Sequence, residues 1–170
     1  MKRSLFIIFL LAAVAACKTT NDVVANKIIP TSVKAFLDQP FGVDESIIAL
    51  QSRFDKSVKI RKMIRKNKFD AQKVDTIIRF YSRKSEVFVY KTYFKREMLL
   101  GGVIKDSKFP LVNGVTPGMK RSDFFKSFKD LSSSQKDSVE LYSKELMRKF
   151  TFTFDSKGIL KRISFASYVD

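Results

Sequence analysis

A glycine-led pattern occurs twice in this chain, 76 residues apart, and it limits the fold more than any other feature. The first copy opens Gln39-Pro40-Phe41-Gly42-Val43-Asp44, and the second opens Thr116-Pro117-Gly118-Met119-Lys120. An apolar residue follows each glycine, Val43 or Met119, and another stands five positions further on, Ile48 or Phe124. With Asp44 and Lys120 as N-caps, each pair forms a hydrophobic staple, which sets the angle at which the chain enters a helix. Asp44 is a good cap acceptor and Lys120 a poor one, so Ser122 or Asp123 is expected to serve the free N–H groups of the second helix.

Each start leads into a short amphipathic segment. Val43, Ile47, Leu50 and Phe54 fall on one helical stripe, as do Phe124, Phe128 and Leu131. Core packing, not an aromatic ligand box, is the expected role of the phenylalanines. Strand-like alternation follows in both copies. Phe150, Phe152 and Phe154 alternate with Lys149, Thr151 and Thr153, and Asp155-Ser156-Lys157-Gly158 reads as the turn into a partner strand from Ile159 to Tyr168. In the first copy Thr76–Tyr81 and Glu86–Phe94 flank Ser82-Arg83-Lys84-Ser85. Phe80-Tyr81-Ser82-Arg83 and Phe154-Asp155-Ser156-Lys157 are 74 apart, close to the spacing of the glycines. A tandem duplication accounts for both spacings. The expected fold class is α+β, with two units at 36–112 and 113–170, each a short helix on an antiparallel sheet.

Composition narrows the chemistry. Seventeen Phe among 170 residues, with only six Gly and four Pro, supply a packed core. There is no His, which removes the commonest general base and every His-ligated metal site. One Cys cannot form an internal disulfide or a thiolate cage. No cofactor and no metal are expected.

The N-terminus reads MKRSLFIIFLLAAVAAC. Lys2 and Arg3 precede an unbroken apolar run of 12 residues, Leu5 to Ala16. A spanning helix needs about 20 residues, so the run has the layout of a secretory signal at 1–16. Val14-Ala15-Ala16-Cys17 resembles a bacterial lipobox, with the only Cys of the chain at the position the motif requires. The resemblance implies cleavage between Ala16 and Cys17, acylation of Cys17, and attachment to membrane lipid through two or three acyl chains, which hold durably where one does not. Lys18, with no Asp after the Cys, implies sorting to the outer membrane. Residues 17–35 are expected to form a polar tether. Loss of Lys2 and Arg3 with the signal lowers the net charge from +16 to +14.

A lipobox, a Pro-Gly-Met before a short helix, and a Phe-rich hairpin together resemble the SmpA/OmlA (BamE-type) outer-membrane lipoproteins. Gly118 and Met119 match that family's Gly-Met pair, Phe124 belongs to the helix after it, and Phe150 to Phe165 resemble its closing strands. Lys120 stands where the family has Ser or Thr, and no Leu-Gly closes the helix. A tandem pair of such units is similar to the β-lactamase-inhibitor-protein architecture, whose disulfides this chain cannot make. The resemblance implies a non-catalytic envelope binding module with an unidentified protein partner.

Charge is concentrated in the first copy. Lys56, Lys59, Arg61, Lys62, Arg65, Lys66, Lys68 and Lys73 stand against one acid, Asp70. Ile60, Met63 and Ile64 suit a helix face, and Val58, Ile60 and Lys62 suit a strand. Either a solvated face or an anionic-surface site built from Lys59, Arg61, Lys62, Arg65, Lys66 and Lys68 fits this stretch, the ligand being lipid headgroups, lipopolysaccharide phosphate, or teichoic or glycan chains. Nucleic acid suits the charge but not an exported lipoprotein. Catalysis finds little support. Ser132-Ser133-Ser134 before Lys136 lacks a nucleophile elbow, and Gly101-Gly102 reads as a turn or strand bend. Asp123, Asp130, Asp137, Glu140 and Glu145 each have a basic neighbour, the pattern of surface ion pairing. Two function classes follow: a lipid-anchored binding or assembly module, and an inhibitor or anionic-ligand module using the sheet surface of two repeats.

Overall fold

A computed structural model describes residues 28–167. The signal segment, the cleavage point at Ala16, Cys17 and the first part of the tether lie outside the described residues. The described chain is α+β. Three short helices, α1 (Val33–Asp38), α2 (Ile47–Arg53) and α3 (Arg121–Lys126), lie against one face of a seven-stranded sheet. The strands are β1 (Lys59–Lys66), β2 (Val74–Tyr81), β3 (Glu86–Lys91), β4 (Glu97–Ile104), β5 (Ser138–Ser143), β6 (Arg148–Phe154) and β7 (Leu160–Ser167). Their order is β1-β2-β3-β4-β7-β6-β5, with every neighbouring pair antiparallel.

Alternation decides which face is buried. In β6, Arg148, Phe150, Phe152 and Phe154 point inward and Lys149, Thr151 and Thr153 outward. On the inner face Phe36 of α1 meets Phe150 at 5.0 Å and Phe128 at 5.3 Å, both edge-on. Phe124 of α3 lies 4.7 Å from Phe152 and 5.3 Å from Phe154. Phe54, at the end of α2, packs edge-on against Phe80 at 5.3 Å and Phe109 at 4.8 Å. Such pairs add about 0.5–1.5 kcal/mol each beyond the area they bury. The phenylalanine stripes are core. Buried residues from both halves of the chain form a single cluster.

The join between the halves is β4 on β7, and it depends on two glycines. A Cβ on Gly102 would lie 2.5 Å from the Glu86 carbonyl oxygen and 2.8 Å from the Phe165 ring, and one on Gly101 would lie 2.8 Å from the Phe165 carbonyl oxygen. Gly101-Gly102 is therefore not a turn. It lies inside a strand, beside a register shift between Phe88 and Val89, where neighbouring strands approach too closely for a side chain.

The structure corrects several expectations. The tether does not reach 35: Thr31 donates its N–H to the Ser127 carbonyl (3.1 Å) and accepts from Lys129 (2.9 Å), Ser32 caps α1, and Phe36 is fully buried. The cap of α2 is Ser46, whose hydroxyl accepts from Ala49 at 3.2 Å, while Asp44 supports that cap by accepting the Ser46 N–H at 2.8 Å. Val43 and Ile48 are therefore not a staple, and Ile48 is exposed. Lys120 does occupy the cap of α3, and Met119 and the buried Phe124 sit at its staple positions. The help there comes from neither Ser122 nor Asp123. The Arg121 N–H donates to the Gly158 carbonyl at 2.8 Å, a backbone partner from the β6–β7 turn.

Candidate functional site: a cationic edge strand and its loops

The basic stretch from Lys56 to Lys73 becomes β1 and the loop after it. β1 is an edge strand with seven of its eight residues exposed. An edge presents unpaired backbone groups to solvent, and Lys or Arg on it opposes pairing with other chains. The strand period divides the expected site between two faces. Lys59, Arg61 and Arg65 pair with Tyr81, Arg79 and Asp75 on the outer face, whereas Lys62 and Lys66 pair with Ile78 and Val74 on the inner one. Lys68 belongs to the loop. Beneath the inner face an open groove of about 610 Å³ runs between α2 and β1, lined by Ile48, Phe54, Val58 and Ile60.

Arg61 stands directly opposite Arg79, a repulsive placement. Arg79 is neutralised by Glu86, with Nε at 3.0 Å from the carboxylate, and it stacks over Tyr81 at 4.7 Å. No acid pairs with Arg61 across that strand. On the outer face Met63, Ile77, Tyr90 and Met98 form a half-buried apolar row across four strands, and no described helix covers it.

At one end of the sheet the β1–β2 loop, residues 67–73, meets the β3–β4 loop, residues 92–96. One carboxylate joins them. Asp75 is buried on β2 and accepts from the Tyr90 hydroxyl, from Asn67 Nδ2 (2.7 Å) and from the Tyr93 N–H (2.8 Å). The Tyr90 hydroxyl, then the Tyr93 N–H and the Asn67 amide, hold this carboxyl below the usual range against the opposing effect of burial. The same hydrogen bond raises the Tyr90 phenol. Sequence reading missed Asp75, because an Asp between Val74 and Thr76 carries no local sign of burial. It also missed the loop aromatics, since Phe69, Tyr93 and Phe94 resemble core residues until the topology leaves them outside.

Elsewhere, Gly118, at φ +96°, donates its N–H to the Leu160 carbonyl (2.7 Å) and the Met119 carbonyl accepts the Leu160 N–H (2.9 Å), so Gly118, Met119 and Phe124 hold α3 to the sheet. Asp123, Asp137 and Glu140 pair with Lys126, Arg121 and Lys149. Asp130 instead accepts the Val33 N–H at 2.8 Å. The Ser134 hydroxyl accepts the Lys136 backbone N–H at 3.2 Å. Among the described residues no three His, Cys, Asp or Glu side chains gather as a metal site requires, and no helix is long and apolar enough to cross a membrane. No family model matches the chain, and no curated protein or solved structure shows significant similarity to it.

Proposed function

We propose that this chain is an exported lipoprotein, acylated at Cys17 and held at the bacterial envelope, on the outer membrane, where it acts as a non-catalytic binding or assembly module. The observation that carries the reading is the lone Cys directly after Val14-Ala15-Ala16 at the end of a signal-like run. The domain engages anionic envelope lipid or glycan through Lys59, Arg61, Lys62, Arg65, Lys66 and Lys68, and docks on an envelope protein. Support for the cationic surface comes from the exposure of β1 and from Arg61, which faces Arg79 and not an acid.

The sheet belongs to two tandem BamE-like units, 36–112 and 113–170, joined as in β-lactamase-inhibitor-protein-like folds. Helix followed by antiparallel strands occurs twice, α2 before β1 to β4 and α3 before β5 to β7, and the Phe80–Arg83 and Phe154–Lys157 segments end the second strand of each, β2 and β6. The uncovered outer face, with its Met63-Ile77-Tyr90-Met98 row, favours a second reading, an inhibitor or ligand-binding module that uses the sheet surface.

Labelled palmitate tests the anchor. Label is expected in the wild type and absent from Cys17→Ala, and a Cys17→Ala protein that keeps label and stays with membranes overturns the reading. For the surface, substituting Arg61, Lys62, Arg65 and Lys66 with Gln should abolish the salt-sensitive part of binding to anionic vesicles or glycan while leaving the melting temperature nearly unchanged.

A further inference from the structure

Five of the eleven exposed large hydrophobic residues among the described ones gather at one end of the sheet: Ile64, Phe69, Val74, Tyr93 and Phe94. Phe69 is 79% exposed, Phe94 77% and Tyr93 53%. Scattered single apolar residues need no explanation, but a cluster at adjoining loop tips does. The cluster is held in place. Asp75 ties Asn67 of one loop to Tyr93 of the other. Lys73 of the first loop lies over the Tyr93 and Phe94 rings of the second, at 5.7 and 5.4 Å, and those two rings meet edge-on at 5.5 Å.

The end of β1 and these two loops carry Lys66, Lys68, Lys73, Lys95 and Arg96, and Lys68 lies over the Phe69 ring at 5.3 Å. The one acid within these loops, Asp70, is neutralised by Lys73 at 3.2 Å. Lys95 holds a positive φ of 64°, a position that favours glycine, so this turn carries a cation at a conformational cost.

We infer that this aromatic tip, with its basic collar, inserts into the interfacial layer of an anionic phospholipid bilayer. Aromatic rings settle at the headgroup level of a membrane, and Lys and Arg beside them are drawn to anionic lipid. Charge complementarity selects this occupant: with Lys73 paired to Asp70, Lys66, Lys68, Lys95 and Arg96 leave the exposed apolar tip with a net charge of +4. The inference rests on the proposed function and deepens it by naming anionic phospholipid as the ligand and the Lys66–Lys68 end of the basic stretch as the point of contact.

The chain contains no Trp, so a single introduced Trp is an unambiguous reporter. The acylated full-length protein is reconstituted into vesicles of phosphatidylcholine alone or mixed with phosphatidylglycerol, carrying Phe69→Trp, Phe94→Trp or, at the opposite sheet edge, Tyr142→Trp. With phosphatidylglycerol present, emission of the two tip reporters should move to shorter wavelength and be quenched by brominated acyl chains, while Tyr142→Trp stays unquenched. Adding Lys68→Gln, Lys95→Gln and Arg96→Gln should return the tip reporters to their behaviour in phosphatidylcholine. Tip reporters that keep water-like, unquenched emission on anionic vesicles overturn the inference. If the β1 Gln variant still loses salt-sensitive binding in that case, the proposed function stands without insertion. A concentration-dependent shift without vesicles also overturns it, and assigns the tip to a second copy of the chain.

Discussion

Arg148 of β6 and Glu45 of the loop before α2, 103 residues apart in sequence, form an ion pair in which the arginine is almost wholly buried. The same guanidinium donates to the Leu37 carbonyl at 2.7 Å, the Asp38 carbonyl at 3.3 Å and the Ser167 hydroxyl at 3.0 Å. Helix α1 has no basic residue in its last turn, so Arg148 supplies the cation for its free carbonyls from a strand. Glu45 in turn accepts the Leu99 N–H of β4 at 2.8 Å. The pair thus links α1, the entry to α2 and both halves of the sheet.

Arg148→Gln should therefore destabilise the domain by about 3 kcal/mol, because it leaves a carboxylate and helix carbonyls without their buried partner. Chemical denaturation checks this. A loss below about 1 kcal/mol would mean that water replaces the guanidinium.

Gly102→Ala places a methyl group 2.5 Å from a carbonyl oxygen where β3, β4 and β7 meet. The expected cost is about 1–3 kcal/mol. Gly118→Ala is the comparison, since nothing lies within 4 Å of its added Cβ and only its φ of +96° opposes the change. If the two variants melt alike, crowding at the β4–β7 join is not what requires a glycine.

Phe124→Ala removes a fully buried ring that touches Phe125, Phe128, Phe152 and Phe154. A loss of about 3–5 kcal/mol is expected. Phe125→Ala, on the half-exposed side of the same short helix, should cost less, and the reverse order would place the staple on the wrong face.

Asp75 gives the loop tip a pH dependence. Its carboxyl lies lower in the folded state than the ordinary Asp value of about 3.9. Its contribution is therefore present in full above that value and is lost as pH falls through the lower, folded one. The Tyr93 amide resonance should titrate with a midpoint below the ordinary Asp value, and Asp75→Asn should shift it at every pH. A midpoint at or above about 3.9 would show that the carboxylate does not join the two loops.

The sequence by itself determined whatever depends on local period and turn chemistry. Alternation identified β6 and its Phe face, Gly158 at φ +71° marked the β6–β7 turn, and Met119 and Phe124 located the staple of α3. It also set the charge of the 56–73 stretch, although a run that suited both a helix and a strand could not reveal its state. Tertiary structure decided everything that depends on distant neighbours. The cap of α2 passed to Ser46, because Asp44 serves the cap residue itself. Residues 31–35 left the tether, because Thr31 bonds to Ser127 and Lys129 and the helix that Ser32 caps seats Phe36 on Phe150 and Phe128, more than 90 positions away. Arg148 and Asp75 became buried through partners that no window of sequence contains. The candidate site followed the same division: sequence supplied its cations, but only the order of strands put β1 at an edge and brought the loop of Phe69 next to the loop of Tyr93 and Phe94. Burial is set by what packs on the far side of a residue, and a chain read in one dimension does not contain that neighbour.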